Sequence, residues 1–193
     1  LLIGHIVGVA LGVGGATMSD VLFLTSISDA RLDRSELRLL KIGSKVVIGG
    51  LLLLGVTGTG FFVVGSEPTT RFWAKLTILT IVVANGVVMH KQFFPLFEKM
   101  AAQRTSLLSP EFTRHAPLLV SCGIISALSW YAILLLGLWR SLPLSYWQIM
   151  GVYLLLLVNG LVIGNGVVQF GLQHPRQVQQ WWLSLSQRQP LEE

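Results

Sequence analysis

Long apolar runs separated by short polar stretches organise this chain. Five of the runs are long enough to cross a bilayer as helix, which takes about 20 residues. They cover roughly residues 1–27, 42–64, 72–94, 116–139 and 146–170. Asp20 is the only charge in the first, and Lys45 stands near the start of the second. The third carries Lys75, Asn85, His90 and Lys91; the fourth and fifth have no charge, although the fifth holds Asn159 and Asn165. Many of these runs are apolar on all faces, as helices embedded in lipid are. Strands of a membrane barrel would be shorter and would alternate. The pattern therefore predicts an all-α, polytopic membrane bundle of five transmembrane helices over residues 1–170, with residues 171–193 as a tail.

The links refine the boundaries. Asp33-Arg34-Ser35-Glu36 has the form of a capping box, so the second helix is expected to begin in water near Ser35. Residues 65–71 form a short link with Pro68. Residues 91–115 form the longest, with Pro95 and Pro110, and Pro95 is expected to end the third helix. A tight turn surrounds Pro143. The tail is Gln-rich and holds Trp181 and Trp182, which suit a membrane interface.

Composition agrees with a lipid solvent. Apolar residues make up 52% and charged ones 12%, about half the usual ~25%, and the mean hydropathy is +0.68. Nine carboxylates and 14 basic residues are too few to cover a soluble surface. A soluble enzyme, a disordered chain and a nucleic-acid binder are disfavoured, despite a net charge of +5. The charge has a membrane explanation instead. Ten Lys and Arg, among them Arg34, Arg38, Lys41, Lys91 and Lys99, fall on one side of the predicted topology, against Arg71, Lys75 and Arg140 on the other. Basic residues favour the cytoplasmic side. That predicts an outside N-terminus and a cytoplasmic C-terminus in a bacterial inner membrane, with no nucleic-acid partner. The stretch from Leu1 to Ile27 lacks the basic start of a signal peptide and is too long and apolar for one. Cys122 is alone, which leaves no intrachain disulfide and no Cys-based metal knuckle.

The first helix carries the most chemistry. Gly4, Gly8, Gly12, Ala16 and Asp20 recur every four residues, and Gly14 and Gly15 add further small surface. Such a stripe lets a neighbouring backbone approach closely, or leaves a groove for a flat cofactor such as a porphyrin. His5-Ile6-Val7-Gly8 followed by Gly14-Gly15 has the form H-x-x-G-x5-G-G. Here the chain resembles the first helix of the copper-resistance protein D family and of related small uncharacterised bacterial membrane proteins. The resemblance covers one helix of the five, and Gly12 stands where that family often has Trp. It implies a link to copper or haem handling, with His5 as a possible ligand.

Depth sorts the remaining candidates. His90, His115 and His174 fall at the predicted inner level, and His5 alone at the outer one, roughly 30 Å away by helix rise. His90 and His115 flank one connection and are the expected inner-side axial pair for a b-type haem. His5 would be a separate outer ligand, for haem or for copper, with haem the preferred cofactor. Asp20 and Lys45 also agree in depth, with Asn165 and His90 at a similar level. A charge in the apolar zone points to function: an ion or proton site formed by Asp20, Lys45 and Asn165, or a haem-propionate anchor at Lys45. The competing expectation is a structural ion pair with Lys45 snorkelling to the headgroups. Asn85 and Asn159 sit in a short echo, Val83-Ala84-Asn85-Gly86-Val87-Val88 and Leu157-Val158-Asn159-Gly160-Leu161-Val162, and should hydrogen-bond between helices. Trp73, Trp130, Trp139 and Trp147 read as an aromatic belt.

No phosphate-binding Gly-rich loop, H-E-x-x-H helix or C-x-x-C pair is present, and no nucleophile–base–acid set is recognisable. The leading expectation is a haem- or copper-linked membrane protein in electron transfer or metal handling. One alternative is a small ion-coupled transporter using Asp20 and Lys45. The other is a non-catalytic subunit that packs against a second copy or another membrane subunit.

Overall fold

A computed structural model of the protein describes residues 1–28, 32–65, 67–103, 109–139 and 143–173. Every element among them is helical: α1 (Leu2–Ser28), α2 (Arg34–Val63), α3 (Thr70–Val88), α4 (Phe94–Gln103), α5 (Pro110–Leu138) and α6 (Tyr146–Gln173). A π-helical turn, Met89–Phe93, joins α3 to α4 in one rod, Thr70–Gln103. Five rods are long and apolar enough to cross a membrane. Their outer faces are Leu, Ile and Val, with Val56 at 70% and Val162 at 68% exposure. An apolar surface this continuous would drive aggregation in water, whereas in hydrocarbon it is the favoured one. The chain is an integral membrane protein.

Consecutive rods run antiparallel. Gly4 faces Thr57 and Gly15 faces Gly43, which aligns α1 with α2 along their length. The Asn85 amide donates to the Cys122 carbonyl at 2.9 Å, and Arg71 donates to the Trp139 carbonyl at 2.7 Å, which fixes α3 against α5. Ser129–Tyr153 and Ser121–Asn165 do the same for α5 and α6. α5 is the hub, packing on α1, α3 and α6. α2 and α3 meet through side chains, as where the Phe62 and Phe72 rings stand edge to face at 4.8 Å.

The glycines of α1 explain the tight α1–α2 pair. A Cβ on Gly50 would lie 2.8 Å from both Gly12 N and Gly8 O, and one on Gly15 would lie 2.9 Å from the Val47 side chain. On the next face, a Cβ on Gly12 would strike the Trp130 ring. The stripe Gly4, Gly8, Gly12 and Ala16 is therefore filled by protein and is not an open groove. Trp130 departs from the expected belt: it is 1% exposed and sits in the mid-depth core with Leu54, Ile78 and Ile133. Trp73, Trp139 and Trp147 are exposed near helix ends, as an interfacial belt requires.

Two boundaries differ from the sequence expectation. Pro95 does not end the third rod. A proline in a helix lacks an N–H and crowds the carbonyl four residues back. Here Phe94 N–H reaches Met89 O, five residues back, so the wider π turn absorbs the misfit and the helix continues to Gln103. α5 starts at Pro110, six residues earlier than 116, with Ser109 as N-cap and Pro110 in the first turn, where no N–H is needed. α2 begins at Arg34, and the Glu36 carboxylate accepts from Asp33 N–H at 2.8 Å to close the capping box.

The longer third rod builds a second core at the end of the bundle where α1 finishes. Leu37 and Leu40 of α2 meet Phe93, Phe97, Met100, Phe112 and Leu119 there. Lys41 and Glu98 pair across it at 2.6 Å. Both are about half exposed, so the pair contributes at most about 1 kcal/mol. This end is basic, with Arg34, Arg38, Lys41, Lys91 and Arg114. The opposite end, where α1, α3 and α6 begin, carries Glu67, Arg71 and Lys75.

Candidate functional site

Two cavities flank the mid-depth core. The larger, about 830 Å³, opens toward the opposite end between α1, α2, α3 and α5. Its walls are largely apolar, with Phe61, Phe62 and Phe72 among them. Gly14, Gly58 and Gly137 face it with open space where a Cβ would be, nothing lying within 4 Å. Three polar side chains line it: His5, Lys75 and Glu67.

His5 is held in a defined way. Its Nδ1 lies 3.0 Å from Thr57 Oγ1, and the Phe61 ring stands edge-on at 5.5 Å. The Thr57 hydroxyl donates its single proton to the Leu53 carbonyl at 2.6 Å, so its oxygen is left to accept from His5 Nδ1–H. In the neutral ring this leaves a lone pair on Nε2. Lys75 lies on the same cavity, half-buried in a membrane-spanning rod. Among the described residues the ion pair formed is Lys41–Glu98, and Lys75 makes none. The pattern of the sequence understated Lys75. Its signal was a lysine inside an apolar run, one turn from Arg71, at the same end as His5.

The smaller cavity, about 460 Å³, lies toward the basic end between α1, α2, α3 and α5. Asp20, Ser19, Ser44, His90 and Lys91 line it, with aromatic walls. His90 Nδ1 lies 3.2 Å from the Gly86 carbonyl, which can only accept, so Nδ1 carries the hydrogen. Nε2 then accepts from the Ser44 hydroxyl at 3.1 Å. Both ring nitrogens are thus engaged.

Several expected groupings are not assembled. His115 is exposed near the start of α5 and lines neither cavity, so it does not share a site with His90. Both are at the basic end, but depth in the membrane does not fix which way a helix face turns. Lys45 is exposed, lines neither cavity and makes no ion pair with Asp20. Asn165 donates to Ser121 Oγ at 3.0 Å and to the Leu161 carbonyl, which makes it an α5–α6 link. The two asparagines of the echo also differ: Asn85 is buried against α5, whereas Asn159 is exposed and bonds Leu155 of its own helix. His174, Trp181 and Trp182 lie outside the described residues. Among the described residues no group of three or more His, Cys, Asp or Glu is placed to hold a metal ion.

Fold and cavities together describe a polytopic helical membrane protein with two chambers, one toward each end of the bundle. Comparison with protein-family models, with curated proteins and with solved structures finds no match to this chain.

Proposed function

We propose that the larger cavity seats a flat, amphipathic, acid-bearing cofactor, and that this cofactor is a b-type haem serving electron transfer or metal handling. The observation that carries the reading is His5. Thr57 holds its Nδ1–H, and Nε2 keeps a lone pair beside an apolar cavity floored by glycines. A neutral imidazole oriented through its other nitrogen is the usual form of an axial ligand. Lys75, a cation with no protein partner among the described residues, suits a propionate. When bound, the haem would supply one-electron chemistry, while the chain orients it and tunes it through the imidazole. Copper is less well served, because one imidazole lines the cavity and neither cysteine nor methionine joins it. The test is an absorption spectrum of the protein purified in mild detergent and supplied with haem. A Soret band is expected, lost in His5→Ala and retained with about tenfold weaker haem affinity in Lys75→Gln, a factor worth about 1.4 kcal/mol. A chain without a Soret band after supplementation overturns the reading.

A second reading is a small transporter. It draws on the placement of one chamber toward each end of the bundle, with the core cluster around Trp130 and Ile78 between them.

We infer further that the basic end faces the cytoplasm of a bacterial cell, because basic residues concentrate there. Arg38 and Glu67 are exposed at opposite ends, and Cys122 is 3% exposed and should stay silent to thiol reagents. An impermeant maleimide added to intact spheroplasts should label Glu67→Cys and spare Arg38→Cys. The reverse result would invert the topology.

A further inference from the structure

The basic-end cavity is distinct from the haem cavity proposed above, and its hydrogen-bonding account is unbalanced. Asp20 lines it and makes no hydrogen bond or ion pair among the described residues. Of the hydroxyl and imidazole donors that line the cavity, those of Ser19, Ser44 and His90 are committed elsewhere, and Ser126 lines it as well. Ser19 donates to the Gly15 carbonyl at 2.8 Å, Ser44 donates to His90 Nε2, and His90 Nδ1–H goes to Gly86. An ionised carboxylate only accepts, and one left without a partner in the apolar zone is costly. A second group points the same way. Trp130 lines this cavity, is 1% exposed, and its indole N–H makes no hydrogen bond among the described residues. Asp20 and the Gly12 level at which Trp130 packs are two helical turns apart, about 12 Å by helix rise.

From this pairing we propose that the basic-end cavity binds a protonated amine on an apolar body, its ammonium on Asp20 and an acceptor at its other end on the Trp130 N–H. The walls fit that chemistry: Phe23, Phe94 and Phe97 line the cavity, and aromatic rings attract cations. A metal ion is disfavoured, because Asp20 is the one carboxylate lining the cavity. Lys91 lines the cavity too, but its ammonium is not within 4.0 Å of the Asp20 carboxylate. The amine can come from two sources, a free amphipathic amine or the ethanolamine headgroup of a phospholipid.

The experiment is calorimetric titration of the full chain in nanodiscs made of choline lipids alone. The probe is tyramine, with 4-ethylphenol as its neutral analogue. Tyramine should bind saturably, and 4-ethylphenol at least tenfold more weakly, a comparison that needs no variant. Asp20→Asn should lose at least tenfold in tyramine affinity while Asp20→Glu keeps most of it. Lys91→Gln should leave affinity unchanged or raise it. Nanodiscs that also contain ethanolamine phospholipid decide the source: competition with tyramine indicates the lipid, and its absence indicates a free amine. The proposal is overturned if wild type shows no saturable tyramine binding or if 4-ethylphenol binds equally well. Full affinity in a folded Asp20→Asn protein also overturns it, as does binding that arises only in Lys91→Gln, which would make Lys91 the native partner of Asp20.

Discussion

Gly50→Val should abolish recovery of monodisperse protein in mild detergent, whereas Gly49→Val, one residue away, should be recovered like wild type. At Gly50 the added Cβ would meet Gly12 N and Gly8 O, both at 2.8 Å, and Leu11 Cβ at 3.2 Å. The two nearest atoms are backbone, so no rotamer change relieves the clash, and α1 must move off α2. At Gly49 nothing lies within 4 Å. Overpacking typically costs about 1–3 kcal/mol and occasionally more. The Gly50 loss should reach on the order of 3 kcal/mol, because helix association in lipid rests on close packing, with little hydrophobic force to compensate. Size-exclusion profiles and unfolding in graded SDS would measure the difference. Equal stability of the two variants would refute the packing assigned to the glycine seam.

Trp130→Ala should have the second largest effect, and of two kinds. The indole packs on Gly12, and the residue belongs to the core cluster with Leu54, Ile78 and Ile133; Trp130 lines one chamber and Ile133 the other. Removing the indole leaves a large void, with a destabilisation on the order of 3–5 kcal/mol. It also joins the chambers, so proteoliposomes carrying the variant should leak a small fluorescent anion faster than those carrying wild type. Trp130→Phe should restore the barrier and much of the stability. If Trp130→Ala is as tight as wild type, the barrier between the chambers lies elsewhere and the transport reading loses its structural support.

The helices themselves were legible because lipid imposes one rule, a long run of apolar residues, and this chain obeys it five times. The capping box at Asp33 was equally legible, being a local exchange between neighbouring residues. Pro95 misled because the rule that proline stops a helix assumes ordinary α geometry, and the π turn before it changes that geometry. The site was harder to read. Periodicity placed Gly12 and Ala16 on one face, but not what would fill that face, and Trp130 of a distant helix occupies it. Level alone grouped Asp20 with Lys45 and His90 with His115. Rotation about each helix axis decides which of these face one another, and it emerges only when the helices pack. Hence Asp20 and His90 share a cavity, while Lys45 and His115 do not. His5 was singled out by its motif, but the Thr57 and Lys75 that define its chemistry come from other helices.

The loose seam between α2 and α3 has one more consequence. With side chains such as Phe62 and Phe72 bridging it and no close backbone packing behind them, that flank is where the least packing would have to be undone to expose the larger cavity to the acyl chains.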